Sequence, residues 1–111
     1  MATPVNHTVT IPSGQATSNA TQDLGEFSVV AVRTPAEFDG TTLTFTHCDT
    51  AGGTYETVYK DDGNAYTVTL ANGRYTAVDY TKLLGCRFLK LVAGSNQASS
   101  DTAVTLKLRP L

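Results

Sequence analysis

Gly85-Cys86-Arg87-Phe88-Leu89-Lys90-Leu91-Val92-Ala93-Gly94 is the stretch on which the reading of the fold turns. With a period of two, Cys86, Phe88 and Val92 share one face with Lys90, and Leu89 and Leu91 share the other with Arg87. Apolar residues on both faces between two glycines predict a strand largely buried inside a sheet sandwich.

The segments around it read as further strands. Val5-Asn6-His7-Thr8-Val9-Thr10-Ile11 alternates, with Val5, His7, Val9 and Ile11 on one side, and Pro12 ends it as an edge strand would end. Residues 26–33 are mostly apolar, hence a central strand. Residues 42–48 place Leu43, Phe45 and His47 opposite Thr44, Thr46 and Cys48. Residues 54–60 set Tyr55, Thr57 and Tyr59 against Glu56, Val58 and Lys60. Asp61-Asp62-Gly63-Asn64 then has the composition of a hairpin turn, because Asp-Gly supplies positive φ. Residues 65–70 and 74–78 follow, joined by Ala71-Asn72-Gly73, and residues 102–109 close the chain with Val104, Leu106 and Leu108 inward.

Two helical turns are also expected. Thr34-Pro35-Ala36-Glu37 is a capping box, and residues 79–84 are capped by Asp79 and stopped by Gly85. About eight strands with turn signals every 8–12 residues predict an all-β, antiparallel, jelly-roll-like sandwich with one or two single-turn helices. The 111 residues make one domain. Residues 1–4 and the small, polar stretch 13–23 are expected to be a flexible arm and an exposed loop.

Composition narrows the function. Only 16% of residues are charged and threonine is abundant, so the surface needs little charge desolvation to enter an assembly. Eight Lys+Arg against ten Asp+Glu, with no basic run, exclude nucleic acid as the main partner. No apolar run reaches the ~18 residues of a membrane span, and residues 1–5 lack the pattern of an export signal. The expectation is a protein made and used without export, with Cys48 and Cys86 as two reduced, buried thiols.

No chemistry stands out. His7, His47, Cys48, Asp49 and Cys86 lack metal-ligand spacing. The 61–64 turn has Thr69 where a calcium loop needs Glu. There is no nucleophile elbow, and of the carboxylates that could pair, Glu26, Glu37, Glu56 and the aspartates, most sit in turns. The expected class is a binding protein, not an enzyme, with no catalytic residue, metal or cofactor. Candidate partner-facing residues are Val5, His7, Val9 and Ile11 on the edge strand, with Tyr55 and Tyr59. The two tyrosines share a strand face and are therefore expected to be both inside or both outside.

Residues 44–63, from Thr44-Phe45-Thr46-His47-Cys48 to Lys60-Asp61-Asp62-Gly63, resemble a hairpin of small virion proteins from tailed bacteriophages. The quoted 85–94 stretch, with Ala103-Val104-Thr105-Leu106-Lys107-Leu108-Arg109-Pro110, looks like their carboxyl half, and Val9-Thr10-Ile11-Pro12-Ser13-Gly14 fits their opening. Some of these proteins are capsid cement, or decoration, proteins. The resemblance implies a jelly-roll-like sandwich, a homo-oligomer with the dimer favoured, made in the host cytoplasm. It implies a place on the outer capsid surface, tying major capsid proteins together. The rival expectation is a sugar-binding sandwich of a phage tail or head fibre, which needs exposed aromatics beside polar groups. The paired cysteines depart from the family pattern.

Overall fold

Leu89, Leu91 and Ala93 of the quoted stretch are buried in the core of a computed structural model, at 0%, 0% and 5% exposure. The model describes residues 5–25, 27–50, 52–98 and 100–110; of Val5 only the backbone is described. Eight strands follow in order: β1 (Val5–Ile11), β2 (Phe27–Arg33), β3 (Thr42–Cys48), β4 (Glu56–Thr57), β5 (Thr67–Thr69), β6 (Tyr75–Ala77), β7 (Phe88–Ala93) and β8 (Thr102–Pro110). A 3-10 turn, Tyr80–Lys82, separates β6 from β7.

The strands form two antiparallel sheets. The first has the order β1-β8-β2-β6. In the second, β7 runs along residues 43–48 of β3, and β4 and β5 share the opposite edge of β3 end to end. The inner faces meet as the alternation predicts. Val9, Ile11, Val29, Val32, Val104, Leu106 and Leu108 of the first sheet join Leu43, Phe45, Val68, Leu89 and Leu91 of the second in one core. Leu24, Phe38, Leu70, Val78 and Leu83 plug its rim from the connections. The all-β sandwich expected from the sequence is the fold observed.

The quoted stretch departs from its reading in one respect. Phe88, Lys90 and Val92 are half-buried, not enclosed, because β7 packs against core on its inner side alone. A second departure is the capping box. Thr34 Oγ1 donates to Ala71 O, and Arg74 N donates to Thr34 Oγ1 at 3.2 Å. The hydroxyl thus braces the 71–74 turn instead of capping a helix, and residues 35–38 form only a turn closed by Phe38 N to Pro35 O. The other expected turn is present: the Asp79 carboxylate accepts from Thr81 N, and Gly85 takes φ +86°.

Residues 13–23, read as an exposed loop, lie along β7. Residues 1–4 fall outside the described residues. Ser18 N, Thr21 N and Leu24 N donate to the carbonyls of Leu91, Leu89 and Arg87 at 2.7–2.8 Å. Three residues of this segment span two of β7, so its carbonyls fall out of step with the β7 amides. Side-chain hydroxyls fill the gap: Leu91 N donates to Ser18 Oγ at 2.8 Å and Leu89 N to Thr21 Oγ1 at 3.1 Å. Ser18 and Thr21 are each 4% exposed, as buried polar groups with partners can be.

Gln97 does comparable work at the far end of the sandwich. It is fully buried; its Oε1 accepts from Asp39 N, and its Nε2 donates to Asp39 O, both at 2.9 Å. Its backbone is bonded to Gly14 and Gln15, so one residue ties three connections.

Replacing Thr21 by Val keeps the volume and strands the buried Leu89 amide. The expected loss is about 1–3 kcal/mol of unfolding free energy, read by urea titration, with Ser18→Ala costing about the same. Losses under about 0.5 kcal/mol, the scale of surface changes, would mean the segment is not pinned as described.

Candidate interaction surfaces

The alternating face of β1 turns out to face the core. Val9 and Ile11 are 1% and 0% exposed, which leaves them no surface for a partner. His7 is half-buried and its Nε2 accepts from Gln22 N at 3.3 Å, while the Val5 side chain lies outside the described residues. The correction has a simple cause. A strand whose outer side is Asn6, Thr8 and Thr10 must turn its apolar side to the only core available.

The tyrosines split as well. Tyr55 is half-buried under Lys90, whose Nζ lies 4.5 Å from the ring centroid, whereas Tyr59 is 64% exposed. Regular pairing stops at Thr57, and Tyr59 meets Ala65 only as an isolated bridge, so strict alternation does not carry through. Burial raises the Tyr55 phenol pKa, with neighbouring Cys48 adding to it. Tyr66 stacks on Phe45 at 5.8 Å and its hydroxyl accepts from Asp79 N at 3.0 Å. Tyr75 and Tyr80 stand out at 56% and 47% exposure.

The histidines and cysteines do not converge. Among the described residues no group of three or more His, Cys, Asp or Glu is placed to hold a metal. His47 sits at the rim of the core with a buried Nδ1 that has no hydrogen-bond partner among the described residues. Cys48 and Cys86 are free, and burial pushes the Cys86 thiol pKa up.

The outer faces of the two sheets differ in chemistry. On the second sheet, residues paired across strands point the same way, so Thr42 and Thr69, Thr44 and Thr67, and Thr46 and Thr57 line up in three rows. Across β3 from them stand Val92, Lys90 and Phe88 of β7. Lys90 is the single charge at these positions, and it is drawn onto Tyr55. The face is a lawn of hydroxyls and methyls.

The outer face of the first sheet is cationic, although the chain is net −2. Register places Arg33, Lys107 and Arg109 there, with Thr8, Thr105 and Tyr75, and no acidic residue stands at these strand positions. The ion pairs found among the described residues, Lys60–Asp62 and Arg87–Asp23, use none of the three cations. Asn6, Arg33, Tyr75, Thr105 and Lys107 border a shallow cleft of about 120 Å³. A larger groove of about 540 Å³ lies at the other end of the face, against the 3-10 turn.

No protein-family model and no curated protein matches the chain. Among solved structures, the crystal structure of the SPBc2 prophage-derived protein YomS is similar, with a TM-score of 0.57 over 98% of this chain and 97% of that one. At 14% identity the likeness is one of fold.

The Asp23–Arg87 pair clasps residues 13–24 to the start of β7 on the surface. The Asp23 carboxylate takes Arg87 Nε at 3.2 Å, a second guanidinium N–H, and Gly25 N at 3.0 Å. The hydrogen bond from Arg87 holds the carboxyl below its ordinary pKa against an opposing effect of desolvation, and Gly25 N adds to the lowering. Thr81 likewise lowers Asp79. A depressed carboxylate contributes stability above its unfolded pKa of about 3.9, and that contribution is lost as pH falls through the lower folded value. Asp23→Asn should therefore be less stable than wild type at pH 6 and converge with it in acid below about pH 4, read by urea midpoints. A constant gap across that window would show that the pair's charge contributes nothing.

Proposed function

We propose that this chain is a structural protein of a tailed-bacteriophage virion, a decoration protein that binds the outer surface of the major capsid protein shell and stabilises it. It is a binding protein and not an enzyme. The reading combines the resemblance of residues 44–63, 85–94 and 103–110 to such proteins with a sandwich fold that is also found in a prophage-derived protein. The observation that carries it is the outer face of the second sheet. Rows of Thr42, Thr44, Thr46, Thr57, Thr67 and Thr69 with one sequestered charge can be covered by a partner at little desolvation cost.

Repeated around a shell, such a face needs only modest affinity at each site, because contacts multiply across the lattice. A dimer would extend this by joining two docking faces. The protein would act on the outer capsid surface after synthesis in the host cytoplasm, without nucleic acid or membrane as partner. A second reading, a sugar-binding module of a tail or head fibre, is favoured by Tyr75 beside Asn6, Arg33 and Lys107 in the shallow cleft. Such a cleft offers a ring face and hydrogen-bond donors together.

Capsids of the parent phage stripped of this protein and remixed with it provide the test. Co-sedimentation, with gain of heat resistance, is expected, and Thr44→Glu at the centre of the hydroxyl face should weaken binding by about tenfold or more. Binding to tails or to a glycan array in place of capsids, or capsid binding indifferent to Thr44→Glu, would overturn the proposal.

A further inference from the structure

We propose that the groove on the outer face of the first sheet binds an extended peptide segment of another protein, one that carries a carboxylate beside an apolar side chain. The groove lies on the sheet opposite the hydroxyl face, so this inference does not depend on the capsid reading.

The groove is built by three local events. Register between β2 and β8 slips between Val29 and Ala31, so Val30 is an extra residue that bulges from the strand. β6 pairs only with Ala31–Arg33, and Val78 N to Val30 O is the bond that follows on that edge. The chain then leaves into the Asp79-capped 3-10 turn, which holds Tyr80 and Leu84 out at 47% and 48% exposure. The result is a trough of about 540 Å³ walled by Val30, Tyr80, Leu84 and Pro110, with Ser28 and Arg109 as its polar groups. That volume lies within the range of small-ligand sites, roughly 300–1,000 Å³.

Two of its groups lack partners among the described residues. Ser28 is 3% exposed and its Oγ has no hydrogen-bond partner. Ser28 stands opposite Arg109 in the register, so both side chains rise on the groove side of the sheet. A hydroxyl enclosed in this way is destabilising unless something supplies a partner. Arg109 is exposed and engages no carboxylate among the described residues. Arg33 and Lys107 add to the positive field on the same face, which favours an anionic occupant.

The remaining features fix its class. Val30, Leu84 and Pro110 give aliphatic walls suited to an apolar side chain more than to the hydroxyl-rimmed ring of a sugar. On the groove side, the first half of β2 has the 3-10 turn as neighbour in place of a strand. An extended peptide can lie in the trough left between this turn and the end of β8, setting alternate side chains into pockets. In this arrangement an aliphatic side chain fills the trough, an adjacent carboxylate meets the Arg109 guanidinium, and Ser28 Oγ donates to a peptide carbonyl.

The test titrates the isotope-labelled full chain with a capped six-residue peptide holding a leucine between two aspartates, followed by amide NMR shifts. Saturating shifts are expected at Ser28, Val30, Tyr80, Leu84 and Arg109. A matched peptide with asparagines for aspartates should bind about tenfold more weakly, as should the acidic peptide to Arg109→Gln, a surface change that leaves the spectrum native. Ser28→Ala should weaken binding by about threefold or more, and Lys60→Gln, on the distant hairpin, should leave it unchanged. Absence of saturating shifts, equal binding of the asparagine peptide, or undiminished binding by Arg109→Gln would overturn the proposal. Shifts of the same residues by an acidic oligosaccharide but not by the peptide, or by self-association on concentrating the protein, would overturn it equally.

Discussion

Everything in this molecule depends on closing two sheets over one another through the inner face of β7. Leu89 and Leu91 are fully buried, and they meet the valine and leucine rows of β2 and β8. A sheet with one apolar face has no stable existence in water until that face is covered. Once it is covered, the outward residues are free of packing duty. That freedom lets one outer face carry hydroxyls and the other carry cations, and both proposed functions use it.

The polar fasteners are consequences of the same closure. Where connections run along the edges and ends of the sandwich, they cover backbone groups that no strand partner serves. Ser18 and Thr21 serve the β7 amides, Gln97 serves Asp39, and Thr34 serves the 71–74 turn. These residues are polar by type and buried in fact. They tie the connections to the strands and turns they cross, and the docking proposed for the outer faces would depend on the shape so held.

How far the sequence disclosed this follows from what each signal reports. Period-two alternation is a local consequence of burial on one side, so β1, β3, β7 and β8 could be placed from their residues. The Asp-Gly hairpin and the Asp79 cap are equally local, and both appear as read. Alternation does not say whether an apolar face meets core or partner, so Val9 and Ile11 read as candidate interface in the sequence although they are core. The pinning of residues 13–24 depends on β7, more than sixty residues away, and small polar residues give no sign of it. The bulge at Val30, and with it the groove beside Ser28 and Arg109, arises from the register of β2 against β8. No single segment contains that information.

The most direct measurement is native-state hydrogen exchange on Leu91→Ala, followed at amides of the opposite sheet such as Val29, Val32 and Leu106. If inner-face packing of β7 holds both layers as one unit, these protections should fall by the same amount as global stability, about 2–5 kcal/mol. Unchanged protection in the first sheet while the second opens alone would contradict the account.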